Sequence, residues 1–164
     1  DKTLKRMNRP YTIEEFKAKI AYIRSHIPDI SISTDVIAGF VQESDEEFET
    51  TYQNLKEMNL SFFHVFPYSK RNGTKASFLK GEVNGKIAKQ RVNRLIELSN
   101  ASRKQDMQRF DTVQVLIERK QDGYYMGYTN QYHPCKILSD EPLSGRITFT
   151  WDHIEDGTYY GKKD

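Results

Sequence analysis

The feature that most constrains this chain is a β-branched apolar segment, ISISTDVIAGF (residues 30–40), followed at short range by a helix signal and a second apolar segment, SFFHVFPY (residues 61–68). Ile, Val and Thr branch at Cβ and suit a pleated strand. Segments this apolar predict strands buried on both faces, as parallel sheets require. Between them Ser44 and Glu47 stand at capping-box spacing, and Phe48, Tyr52, Leu55 and Met58 recur on one face of a helix predicted to end near Asn59. Gly39 marks the exit of the first strand. Strand, helix and strand make a βαβ unit, whose right-handed crossover belongs to an α/β barrel or open sheet.

Thr12 and Glu15 form another capping box, after which Phe16, Ile20, Ile23 and Ile27 repeat at helical spacing until Pro28. Beyond the second strand a polar loop, SKRNGTKASFLKGEV, leads to a long helix predicted from near Asn84 to about Phe110, with Ile87, Val92, Leu95 and Ile96 at helical spacing. From Thr112 the pattern changes to short strands: TVQVLIE, YYMGYT, HPCKIL, GRITFT and a segment near TYYG, with a turn at Asp122 and Gly123. That pattern predicts a small antiparallel β-barrel. The expected organisation is an α/β portion over residues 1–110 and an all-β domain over residues 111–164, with the boundary near Asp111.

The single cysteine, Cys135, excludes an internal disulfide and cannot alone hold a metal cluster, so it reads as a small packed residue. No run of about 18 apolar residues is present, and the first residues, DKTLKRMNRPYT, lack the apolar core of a secretion signal. A cytoplasmic location is expected, with no membrane and no obligate protein partner. Charge is unevenly spread. Residues 70–109 hold eleven Lys or Arg against three acidic residues, a net of +8, whereas residues 111–164 hold six against nine, a net of −3. The basic segment reads either as a solvated helix face or as a surface lying along a polyanion. Tyr124, Tyr125, Tyr128, Tyr132, Tyr159 and Tyr160 are equally open to two roles, filling strands or stacking unpaired bases.

Three further side chains carry alternatives. Asp35 inside an apolar strand is either a satisfied structural acid or part of a ligand site, because an unpaired buried charge is costly. His64 is a packed strand histidine or a catalytic one. Arg71, with Gly73 and Thr74, lies just past a strand end, where a guanidinium meets a carboxylate or phosphate, or where the chain simply turns.

LKRMNRPYT, STDVIAGF and HVFPYSKRNGT, followed by the basic helix and GYTNQY, resemble successive blocks of the radical-SAM tRNA methylthiotransferases. The resemblance covers most of the chain, and HVFPYS and STDVI look closest to the branch acting on threonylcarbamoyladenosine beside the anticodon. It implies the last βα units of a partial radical-SAM (β/α) barrel, then a TRAM domain that binds RNA. It also implies S-adenosylmethionine and [4Fe-4S] clusters as cofactors and tRNA as partner. The cluster-binding CxxxCxxC motif would precede Asp1, so the chain reads as a C-terminal fragment, inactive alone. By this resemblance Asp35, Ile37 and Gly39 with Glu43 border the SAM adenine, Ile37 as apolar contact and Gly39 giving backbone access, while Val65 and Phe66 supply backbone hydrogen bonds and a second wall. Arg71, Lys89, Arg91 and Arg94, with Tyr128, Tyr132, Lys136 and Arg146, are the expected RNA contacts. No catalytic residue or metal ligand is assigned. One departure stands out: where the family usually has GFPGET, this chain has Gly39-Phe40-Val41-Gln42-Glu43-Ser44. Rival readings are a methylthiotransferase for isopentenyladenosine or for a ribosomal protein, and a non-catalytic RNA-binding module.

Overall fold

Both capping boxes form. The Thr12 hydroxyl accepts the Glu15 N–H (3.2 Å) and the Glu15 carboxylate accepts the Thr12 N–H (2.7 Å), opening α2 (Ile13–His26). Ser44 and Glu47 do the same at 3.1 and 3.3 Å, opening α3 (Asp45–Glu57). Ahead of them is a short helix, α1 (Lys2–Arg6), which sequence periodicity cannot reveal because it buries no residue. It is held instead by a fork from Arg6 to Glu47 (3.0 and 2.5 Å). In this computed structural model, which describes residues 1–163, the chain divides into two compact units, Asp1–Ser102 and a second beginning at Arg103.

In the first unit β1 (Ser33–Ala38) and β2 (Phe62–Pro67) pair in parallel, in register from Ser33 opposite Phe62 to Ala38 opposite Pro67. Ile20, Phe48, Leu55, Met58, Leu60, Phe63 and Leu95 form the core, with Val36 and Val65 packed against it. Only one face of the pair is covered. Ser33, Asp35 and Ile37 on β1 are exposed, as are His64 and Phe66 on β2, so the expectation of strands buried on both faces is corrected. The edges differ too. At Phe63 the outer edge of β2 is closed by Ser99, whose hydroxyl accepts the Phe63 N–H (2.9 Å) and donates to its carbonyl (2.7 Å). Thr34, Asp35, Val36 and Ile37 of β1 instead border a cleft of about 440 Å³, shared with Leu4, Met7 and Phe16.

Beyond a 3-10 turn (Lys75–Phe78), α4 (Gly85–Met107) carries the chain past residue 102, and its last turn belongs to the second unit. There β3 (Thr112–Gln121), β4 (Tyr124–Thr129), β5 (Pro134–Leu138), β6 (Gly145–Thr150), β7 (His153–Glu155) and β8 (Thr158–Lys162) form one sheet in the order β6-β3-β4-β5-β8-β7. The β3–β4 hairpin turns at Asp122 and Gly123, both at positive φ (49° and 83°), which is the conformation that matches strand twist. β5 and β8 run parallel, so the sheet is mixed and the purely antiparallel expectation is corrected. β7 escaped the sequence reading because it is three residues long with one apolar side chain, Ile154.

The edge strands β6 and β7 are consecutive, with two residues, Trp151 and Asp152, between them. Six flat strands would hold the two edges about 24 Å apart, whereas the link spans at most about 11 Å. The sheet must therefore curl strongly, although no ladder joins β6 to β7 among the described residues. Val113, Val115, Tyr125, Ile137, Phe149 and Tyr159 fill its concave side with Cys135 and Met107. Three side chains from the sheet region secure the end of α4 and its exit. Tyr159 donates to the Met107 carbonyl (2.6 Å), Trp151 to the Phe110 carbonyl (2.6 Å), and His133 Nε2 lies 2.9 Å from Asp106. The Tyr159 bond satisfies a carbonyl that the helix terminus leaves without an intrahelical partner, whereas Trp151 holds the exit beyond it and His133 meets the Asp106 carboxylate.

Candidate ligand face and nucleic-acid interface

On the open face of the first unit, register places Asp35 beside His64 and Ile37 beside Phe66. Paired residues in a ladder project to the same side, so Asp35, Ile37 and Phe66 share one surface. Ile37 is 37% and Phe66 49% exposed, and the Phe62 ring meets His64 edge-on at 5.4 Å. Because Asp35 is exposed, it is not a buried charge in search of a partner. Val65 and Gly39 add no side chain to that surface. Val65 turns its side chain to the core. Gly39 is buried at φ +73°, and a Cβ there would lie 2.8 Å from the Ala88 Cβ, so the missing side chain makes room for α4.

The GFVQES segment is tied down by its own side chains. Glu43, buried, accepts the Gly39 N–H (2.9 Å) and Arg91 Nη1 (2.8 Å). Arg91 also donates to the Glu43 carbonyl (2.9 Å) and to Asp45 (2.6 Å). Burial pushes the Glu43 carboxyl up from its ordinary value, against the Gly39 N–H and Arg91, which hold it down. Gln42 donates its N–H to the Gly81 carbonyl and its side-chain amide to the Lys80 carbonyl, both at 2.8 Å. Glu43 and Arg91, which is 5% exposed, thus hold one another and fasten the loop to α4. The sequence did contain the signal: Ala88, Arg91, Leu95 and Ser99 follow the three- and four-residue spacing of one helix stripe. Arg94 is half exposed but forks onto Glu49 (2.5 and 3.1 Å) over the Phe48 and Tyr52 rings. Lys89 and Arg71 are exposed and make no ion pair among the described residues.

In the second unit, alternation sends one set of side chains outward. Arg146, Leu116, Tyr128 and Pro134 form a row across β6, β3, β4 and β5. Tyr132, 70% exposed at φ +64°, folds back to stack on Tyr128 with centroids 4.7 Å apart and 16° between planes. Three of the four expected RNA contacts of this unit, Tyr128, Tyr132 and Arg146, thus lie in or beside one row. Lys136 belongs to the next, where its ammonium lies 5.3 Å from the Tyr160 centroid. Cys135 is buried and desolvation pushes its thiol up to about 12, so it stays protonated and packed. No group of three or more His, Cys, Asp or Glu able to hold a metal is assembled among the described residues, and no helix is long and apolar enough to cross a membrane.

No protein-family model matches this chain. Individual proteins do. The chain is 35% identical over 151 residues to the threonylcarbamoyladenosine tRNA methylthiotransferase MtaB of Bacillus subtilis, covering 88% of the chain and 34% of that protein. It is 44% identical over 105 residues to the MtaB of Aquifex aeolicus, covering 64% of the chain and 26% of that protein. It is 35% identical over 164 residues to the tRNA-2-methylthio-N(6)-dimethylallyladenosine synthase of Thermodesulfovibrio yellowstonii, covering 96% of the chain and 38% of that protein. The chain belongs to the tRNA methylthiotransferase family. It spans roughly a quarter to two fifths of the length of these relatives. Within this family member, the loop that departs from the usual GFPGET is the one fastened to α4 by the buried Glu43–Arg91 pair.

Proposed function

We propose that this chain is the C-terminal portion of a radical-SAM methylthiotransferase that converts N6-threonylcarbamoyladenosine beside the anticodon of tRNA into its 2-methylthio derivative. The observation that carries this reading is the match to relatives named for modifying tRNA nucleosides, extending over as much as 96% of the chain. The edges of the parallel pair support it. β2, closed by Ser99, suits a last strand, and β1, bordering an unfilled cleft, suits one that receives a preceding strand. The open face carrying Asp35, Ile37 and Phe66 would then look into the barrel, where ligands collect at strand ends. The strongly curled sheet with aromatic residues outside suits a TRAM-type RNA-binding domain, with Tyr128, Tyr132, Lys136 and Arg146 as contacts and Arg71 and Lys89 contributing from the first unit.

S-adenosylmethionine, when bound, supplies radical initiation and the methyl group. Of this chain's residues, Ile37 and Phe66 are suited to flank its adenine and Asp35 to face its polar parts. Iron–sulfur clusters do not fit here, because the one cysteine is buried and protonated; their ligands belong to other parts of the protein. The 44% identity to an MtaB supports the threonylcarbamoyl branch. A second reading, dimethylallyladenosine as substrate, is favoured by the 96% coverage in the match to that synthase. A cytoplasmic location follows from tRNA as substrate. The test is reconstitution: full-length protein with its clusters, S-adenosylmethionine and tRNA carrying one nucleoside or the other, followed by mass spectrometry. The 2-methylthio product should appear only on threonylcarbamoyladenosine; product only on the dimethylallyl nucleoside reassigns the branch.

A further inference from the structure

We infer that Lys136, Tyr160 and His153 form a second stacking platform that takes one unpaired nucleobase, distinct from the Tyr128–Tyr132 pair. The inference rests on the RNA reading above. Register sets Lys136 of β5 beside Tyr160 of β8, and Tyr160 beside His153 of β7. The Tyr160 and His153 rings are stacked, with centroids 5.2 Å apart and 11° between planes, and the Lys136 ammonium lies 5.3 Å from the Tyr160 centroid. Tyr124 meets Tyr160 edge-on at 6.1 Å and props it in place. The result is a column of cation, phenol and imidazole running across the strands.

That column ends on the sheet edge. β7 is the last strand in the order, and His153 is exposed, with no further ring stacked on it among the described residues. A planar π system is what would continue such a column, and every base offers such a face for stacking on an aromatic ring. A duplex hides its base faces, so only unpaired nucleotides qualify. The Tyr128–Tyr132 pair has the same construction, two near-parallel rings ending on an exposed one. Two strand spacings and two residue rises separate Tyr128 from Tyr160, about 12 Å. The two platforms therefore hold bases splayed apart, as in a loop, rather than stacked neighbours. Because residues 111–164 carry a net −3, attraction for phosphates is weak here and stacking supplies the affinity.

The test uses the full-length protein with a fluorescein-labelled single-stranded RNA 12-mer and a fully paired hairpin of equal charge, read by anisotropy across salt concentrations. His153→Ala should weaken single-strand binding about tenfold, leave hairpin binding and the salt slope unchanged, and leave the thermal transition in place because His153 is exposed. His153→Phe should restore affinity. If His153→Ala binds like the parent chain while Tyr128→Ala is weakened, the second platform is wrong and the RNA reading stands. If the full-length parent binds neither RNA, both fall.

Discussion

Arg91 and Arg94 stand three residues apart on α4 and do opposite things. Arg91 is 5% exposed with its guanidinium shared between Glu43 and Asp45, whereas Arg94 forks onto Glu49 at the surface. Removing one partner of a buried pair strands the other charge, at roughly 3 to 5 kcal/mol, while an exposed pair contributes about 0 to 1 kcal/mol. Arg91→Ala should therefore lower the urea midpoint steeply and Arg94→Ala barely shift it; equal effects would contradict the assignment. Glu47 gives a pH signature. The Arg6 fork, chiefly, lowers its carboxyl from 4.5 to about 2. A carboxyl lowered by folding contributes its stability above the unfolded value and loses it as pH falls, here between about 4.5 and about 2. Denaturant titrations across that window should show stability declining, and Glu47→Gln should flatten the decline. Arg91 shows the limit of legibility at this scale: a net-charge count places it with the exposed basic residues, and only its place on the apolar stripe signals its burial.

At the scale of elements, capping boxes and helical periodicity revealed α2 and α3 because both are local signals. The open face of β1 was legible in part. Ser33 and Asp35 break the apolar run at a spacing of two, the mark of a half-exposed strand, but Val, Ile and Thr around them outweigh that alternation. The parallel pairing of β5 with β8 was not legible, since it joins strands separated by β6 and β7 and depends on how the sheet curls. The basic stretch of α4 divides by exposure rather than by charge count. Lys89→Ala should reduce the slope of log affinity for tRNA against log salt by about 1, whereas Arg91→Ala, in protein shown to be folded, should leave that slope unchanged. A reduced slope for Arg91→Ala would mean that the residue leaves its pair to meet phosphate.

Taken whole, the chain joins a βαβ unit with one open face to a curled sheet bearing stacked aromatic residues, and its relatives are enzymes of tRNA nucleosides. The aromatic rows of the sheet could not be read from composition, because tyrosine is common in strands and only register shows which rings meet: Tyr128 and Tyr132 were in view, but His153 was not. The most direct measurement is mass spectrometry of nucleosides from total tRNA of a strain deleted for the full-length gene, beside its parent. Selective loss of 2-methylthio-N6-threonylcarbamoyladenosine is the predicted result. Persistence of that nucleoside with loss of the methylthio-dimethylallyl form would contradict the branch, and no change in either would contradict the tRNA function itself.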